Sequence, residues 1–238
     1  MSFAVVVDST CDFTQEEYKA LDVHMVPLSV LIDGETFKDQ VEITSEQFYE
    51  RMANSEGLPQ SSQPTPYDFE QMYNALAEQG YEGVIAIHIA GVLSGTIESS
   101  RTAAEQVDID VRVLDGARAG ATASVALAVA EICKMRDEGA TLDEAEAKAK
   151  ELLAKAEFLV APETLENLLK GGRLSADQVK NASLLNIKPI FTFNEKGILM
   201  AYGKAKGMRG VIKTFVSEVE NRTNEQGTLR IRFCHCGN

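Results

Sequence analysis

The stretch GVIAIHI-AGVLSGTIESS-RTAAEQV, residues 83–107, decides how the rest of the chain is read. Val84 to Ile89 is a near-continuous apolar run, the pattern of a strand buried on both faces. A glycine and hydroxyl cluster follows at Gly91–Thr96, and a helix-forming run follows that. VRVLD, residues 111–115, is a second apolar strand, and an Ala-rich helix runs from about Gly120 to Arg136. Strands alternating with helices in this way predict parallel βαβ units and a doubly wound sheet.

Working upstream, Ala4–Val7 reads as the first strand, and Thr14 with Glu17 has capping-box spacing, so a helix begins at Gln15. VHMVPLSVLIDG, residues 23–34, reads as one strand closing on an Asp33-Gly34 turn. Thr44 or Ser45 can cap the next helix. Thr65, Pro66 and Asp68 supply the N-cap, the first helical position and the first-turn acid of another. Downstream, TLDEAEAKAKELLAKA, residues 141–156, is a charged helix with a domain boundary near its end. The texture then changes. EFLVA, residues 157–161, reads as a strand, Thr164 opens a helix, KGGRLS forms a loop, and Ser175 with Gln178 caps a further helix. IKPIFTF and ILMAYGKAK flank an Asn/Gly turn and predict a β-hairpin, so a smaller α+β unit with a mixed sheet is expected here. The last residues, IRFCHCGN, read as ending on a strand.

At 238 residues, with 45% hydrophobic and 25% charged residues, the chain can bury a sizeable core and has the composition of a globular protein. A formal charge of −13 argues against nucleic acid, because phosphate contacts need clustered Lys and Arg. The basic cluster KAKGMR, residues 204–209, reads as a solvated hairpin end or as a docking face for an anionic group. ATASVALAVAEIC, residues 121–133, is too short to cross a bilayer, and the N-terminus lacks the basic flank of a signal peptide. A cytoplasmic protein without a membrane span is expected. Cys11, Cys133, Cys234 and Cys236 have no disulfide-framework spacing, and the CHC pair lacks the second ligand pair of a zinc site. No cofactor or metal is expected.

In an open parallel sheet, the loops leaving the strands' carboxyl ends share one edge, where ligands bind. Here these are DSTCD (8–12), SSQPT (61–65) and GVLSGT (91–96), each rich in hydroxyls. A helix N-terminus offers free N–H groups and partial positive charge, so Gly95 with the Ser94 and Thr96 hydroxyls makes a nest suited to a carboxylate. The same hydroxyls could instead simply cap their own helix. Nucleophilic chemistry at Ser94 finds little support. GVLSGT is not G-x-S-x-G, and of the three histidines, His24 and His88 lie in strands, with His88 reading as a satisfied core residue. Asp8 and Asp12 read as capping and helix-terminus groups. Phosphate-loop, dinucleotide and zinc-protease motifs are absent from the sequence. A hydrolase using Ser94 with Asp8 or Asp115 remains the alternative reading.

Five motifs in order, VVVDSTCD, SSQPTPYDF, LSGTIESSR, LLKGGRLS and LLNIKPIFTF, resemble those of the DegV family of bacterial fatty-acid-binding proteins. The resemblance implies an N-terminal three-layer α/β/α domain (residues 1–155) with a parallel sheet, and a C-terminal two-layer α/β domain (residues 156–238). It implies a long-chain fatty acid, palmitate for example, held in a tunnel between them. It further implies no catalysis by the chain itself, which would present the lipid carboxylate to an ATP-binding fatty-acid kinase subunit that forms the acyl phosphate. Ser61 matches the hydroxyl opening the family's T-S-Q-P motif, Ser94 its carboxylate-binding serine, and Arg173 an arginine at the tunnel mouth serving the partner or the product. Family members run on past the stretch resembling HCGN to a His-x-Gly-Pro-Gly motif, so the chain is expected to be C-terminally incomplete relative to them.

Overall fold

A computed structural model of the chain describes residues 2–172 and 187–235. Its first strand, β1 (Phe3–Asp8), is buried at all six positions. Because side chains alternate along a strand, Phe3, Val5 and Val7 enter one core while Ala4 and Val6 enter another. β6 (Gly83–His88) divides in the same way, with Ile85 and Ile87 on the first side and Val84 and Ala86 on the second. With β2 (Val23–Val26) and β7 (Asp110–Asp115), these strands make a parallel sheet in the order β2-β1-β6-β7. Helices α1 (Gln15–Ala20), α5 (Thr122–Asp137) and α6 (Leu142–Lys155) close the first core with Tyr18, Val129 and Leu153. Helices α3 (Pro66–Glu78) and α4 (Thr96–Ala104) close the second with Phe69, Tyr73 and Ala103. The expected three α/β/α layers follow from this two-sided burial.

The helix starts match the sequence signals. Thr14, Thr44 and Thr65 each form a reciprocal capping box, with Glu17, Gln47 and Asp68, at the heads of α1, α2 (Ser45–Asn54) and α3. Thr141 and Glu144 form a fourth on α6.

The run at 23–34 departs from the single strand expected. It forms two strands in different sheets, since β2 ends at Val26 before Pro27, which has no N–H to give a ladder. β3 (Ser29–Ile32) instead joins β4 (Glu35–Lys38) and β5 (Gln60–Ser62) in an antiparallel sheet ordered β4-β3-β5. The Asp33-Gly34 turn between β3 and β4 has φ of 52° and 82°, the left-handed pair that a two-residue hairpin requires.

Further along, EFLVA contributes only an antiparallel bridge between Val160 and Phe191 instead of a strand. Helix α7 (Glu166–Lys170) follows Thr164, whose Oγ1 accepts from Glu166 N at 3.2 Å. The helix expected at Ser175 lies outside the described residues. The hairpin forms as expected from β8 (Ile187–Phe193) and β9 (Leu199–Lys206), paired antiparallel. Asn194 Oδ1 accepts from Lys196 N and Ile198 N across its turn, at 2.9 and 3.0 Å. KAKGMR begins at the open end of the hairpin, where Lys204–Lys206 close β9 opposite Ile187–Pro189, and runs on into a helix. β9 passes there directly into α8 (Gly207–Gln226), a helix the sequence reading lacks, and Lys206 at its N-cap supplies no side-chain cap. Residues 231–235 form no strand. The segment is held instead by ion pairs, Arg232 with Glu17 at 2.7 Å and Arg230 with Glu131.

The hairpin's own core is small, consisting of Phe191, Phe193 and Leu199, and it borrows Leu93 from the β6–α4 loop. Gly120, at φ 71°, receives the Phe193 ring so closely that a Cβ at this position would overlap it. Cys11 and Cys133 are buried thiols. Among the described residues, no helix is long and apolar enough to cross a membrane, and no group of His, Cys, Asp or Glu could hold a metal ion.

Candidate functional site

β1 and β6 are neighbours, but the chain leaves them in opposite directions, one toward β2 and the other toward β7. The loops at their carboxyl ends therefore diverge, which is where open parallel sheets receive ligands. The loop after β6 is tightly held. Leu93 N and Ser94 N both donate to Ala90 O, at 2.8 and 3.3 Å. Gly91 N and Ala117 N both donate to Asp115 Oδ1, at 3.1 and 2.7 Å, so Asp115 ties the β6 and β7 loops together.

Gly95 is the N-cap of α4 and brings no side chain to cap it, so the helix terminus keeps its partial positive charge. Ser94 Oγ accepts from Thr96 N at 3.3 Å and lies 2.8 Å from Thr96 Oγ1. A hydroxyl has two acceptor sites and one proton. When Thr96 Oγ1 donates as well, both acceptor sites of Ser94 are filled and its own proton is left for an anion; in the other direction Ser94 gives that proton to Thr96. Thr96 itself is fully buried. It thus stands behind Ser94 and holds it, and does not line the pocket.

Ser94 and Gly95 line an open pocket of about 420 Å³ together with Ser61, Ser62 and Gln63, and with Leu28, Val92 and Leu93 as apolar walls. That volume lies in the usual range for small-molecule sites. Ser61 reaches it from β5, where it pairs with Val30 of β3. The second sheet, which the sequence reading does not separate from the first, is thus what carries Ser61 to Ser94. Three of the four expected ligand-binding residues, Ser61, Ser94 and Gly95, meet in this pocket. Arg173 lies outside the described residues.

The pocket also includes Gln63, which the sequence reading passes over within the motif that yields Ser61. Its Nε2 donates to Ser99 Oγ on α4 at 3.0 Å. A Cβ at position 95 would overlap Gln63 Oε1 and lie 2.9 Å from both Cδ and Nε2.

The first loop, DSTCD, turns inward. Ser9 is fully buried and accepts from Leu28 N at 3.1 Å, while Thr10 N and Thr10 Oγ1 both donate to Asp8 Oδ1, at 2.9 and 2.5 Å. Asp8 caps this turn, as expected, and does more. Its Oδ2 accepts from Ile89 N at 2.9 Å and from His88 Nδ1 at 3.2 Å. His88 Nε2 lies 2.8 Å from Ser100 Oγ, which lies 2.6 Å from Tyr73 OH. One direction satisfies every group: Tyr73 donates to Ser100, Ser100 to His88, and His88 to Asp8. Burial by itself raises the Asp8 pKa, but the hydrogen bonds it accepts, from His88 first and then from Thr10 and Ile89, hold the carboxyl below its usual value.

This series has the order of a serine–histidine–acid relay, yet Ser100, His88 and Asp8 are 0%, 0% and 1% exposed, so no substrate reaches it. His88 is the satisfied core histidine the sequence suggests. For Ser94, the hydroxyl 2.8 Å away is that of Thr96 and not a base, and both acidic partners weighed for a hydrolase, Asp8 and Asp115, are engaged by backbone N–H groups.

The DegV family model matches residues 2–238. A DegV domain-containing protein of Listeria innocua is 36% identical over 219 residues, covering 88% of this chain and 74% of its own length. Among solved structures, a DegV family protein from Thermus thermophilus, described by its fatty acid binding, superposes with a TM-score of 0.81 at 32% identity, covering 92% of this chain and 79% of the other. A stearic-acid-binding protein from Eubacterium ventriosum superposes at 0.85 with 26% identity, covering 94% and 78%. With a family match over nearly the whole length and this fold, the chain belongs to the DegV family.

Proposed function

We propose that this protein binds a long-chain fatty acid and presents its carboxylate, without catalysis of its own, to an ATP-dependent kinase partner that converts it to an acyl phosphate. The observation that carries this reading is the meeting of Ser61 and Ser94 at the N-terminus of α4, in a pocket with Leu28 and Leu93 among its walls. Two hydroxyl donors and a helix terminus suit a carboxylate, and Leu93 leads from them to the apolar cluster of Phe158, Leu165 and Phe193. The acyl chain would run along that path, between an N-terminal domain of residues 1–155 and a C-terminal domain of residues 156–238. Burial supplies about 0.8 kcal/mol per methylene, against about 1.5–3 kcal/mol for each hydrogen bond to a charged group. The tail therefore supplies most of the affinity, and Ser61 and Ser94 set the orientation. Arg173 serves the partner or the product, and the absence of nucleotide-binding motifs from the sequence agrees with ATP residing on the partner.

Organic extraction of the purified recombinant protein followed by lipid mass spectrometry tests the reading. A fatty acid at one equivalent per chain is expected. A folded protein that carries none and takes up none when offered palmitate overturns it.

A further inference from the structure

We propose that Gln63 is a positioning residue that sets the distance between the two hydroxyls of the pocket, and that position 95 is glycine to admit it. The inference rests on the fatty-acid reading above and deepens it. Ser61 and Ser94 stand on different elements, β5 of the antiparallel sheet and the loop entering α4, so a carboxylate can engage both only if those elements are held in register. The hydrogen bond from Gln63 Nε2 to Ser99 Oγ ties them at the pocket itself. Gln63 lies two residues from Ser61, and Ser99 is one helical turn beyond Gly95. Ser99 is 4% exposed, so its hydroxyl has little access to water as a substitute partner.

Gly95 has an ordinary φ of −74° and needs no glycine for its backbone. What a side chain there would strike is the Gln63 amide. On its other side, α4 is anchored by Ser100, bonded to both His88 and Tyr73. The helix is thus fixed against the parallel sheet from beneath, and Gln63 brings the Ser61 strand to it.

Palmitic acid and 1-hexadecanol separate positioning from plain stability, because the two probes bury the same tail and differ in the head group. In the unaltered protein, the acid should bind more tightly than the alcohol. Gln63→Met and Ser99→Ala should each weaken palmitic acid about tenfold, the worth of about one hydrogen bond to a charged group. Hexadecanol affinity should stay within about twofold. The double variant should be no worse than either single one, since both remove the same bond. Equal weakening of acid and alcohol, a fall in melting temperature alone, or unchanged acid binding in both single variants overturns the inference. If the unaltered protein binds neither probe, the fatty-acid reading itself has failed, which is a separate result.

Discussion

Ser94 accepts from Thr96 N and shares a hydrogen bond with the Thr96 hydroxyl, so an anion that takes the Ser94 proton is served when Thr96 turns its own proton toward Ser94. Ser94→Ala should therefore weaken fatty-acid binding only about tenfold, since one charged hydrogen bond is lost while the tail stays buried. On the proposed function, phosphorylation of the bound lipid by a kinase should fall much further, because a carboxylate without its donor is not aligned for attack. Isothermal titration and a coupled kinase assay on the same variant check this, and equal losses in both would contradict it. Asp8 gives a prediction of a different kind. Its carboxyl is held below the usual value in the folded state. Its stabilising effect is thus present above the unfolded pKa of about 3.9 and is lost as pH falls through the still lower folded value. Asp8→Asn should cost about 3 kcal/mol at neutral pH, because an amide cannot accept from all the buried donors that the carboxylate serves. The gap from the unaltered protein should narrow below about pH 4 in urea titrations, and a gap constant from pH 7 to pH 3 would refute the assignment. At this scale the sequence is legible where residue type dictates placement, as with Ser94 at the strand-to-helix turn and the core histidine, while Ser61 is singled out by the family motif alone. Gln63 and Ser100 are not legible, because their partners lie across the fold and no spacing in the chain announces them.

At the scale of elements, the readable features were those whose physics is local. Threonine three residues ahead of Glu, Gln or Asp caps a helix whatever surrounds it: the box read at Thr14 formed, and the caps read at Thr44 and Thr65 are boxes as well. Apolar β-branched runs gave β1, β6 and β7 for the same reason. The run at 23–34 looks continuous by hydrophobicity, but Pro27 ends its ladder, and which sheet each half joins depends on distant partners, β1 for one and β5 for the other. α8 begins at a glycine without a capping side chain, so the start signal for a helix was absent, although Gly227 supplies the stop signal at its end. How the hairpin docks is a tertiary matter that turns on Gly120. An alanine there meets both a positive φ and the Phe193 ring, whereas Gly139, at φ 88°, has open space around it. Gly139→Ala should cost about 1 kcal/mol from the left-handed backbone alone. Gly120→Ala should cost about 2 kcal/mol more through overpacking, and Phe193→Leu should recover part of that excess. Equal costs for the two alanines in denaturant titrations would mean that the ring moves aside freely.

For the molecule as a whole, the parallel sheet has two extensive cores of its own, while the hairpin buries four large side chains, Ile190, Phe191, Phe193 and Leu199, and leans on Leu93 of the β6–α4 loop. Arg222 with Glu157, Arg230 with Glu131, and Arg232 with Glu17 add ion pairs, the last two reaching the N-terminal helices. Partly exposed pairs of this kind contribute little, up to about 1 kcal/mol each, with the bidentate Arg232–Glu17 pair at the upper end. Packing around Leu93 and Phe193 is therefore what couples the two parts, and an acyl chain along the same path would join that packing. A ligand that binds only the folded state stabilises it by about 2.7 kcal/mol at a hundredfold excess over Kd. Palmitic acid should accordingly raise the melting temperature in a concentration-dependent way while unfolding stays a single transition, because tail and hairpin share one apolar cluster. Calorimetry across a palmitic acid series distinguishes the arrangements. Two transitions, with only the one belonging to the parallel-sheet part moving, would mean that the lipid lies within that part alone and that the hairpin does not help to enclose it.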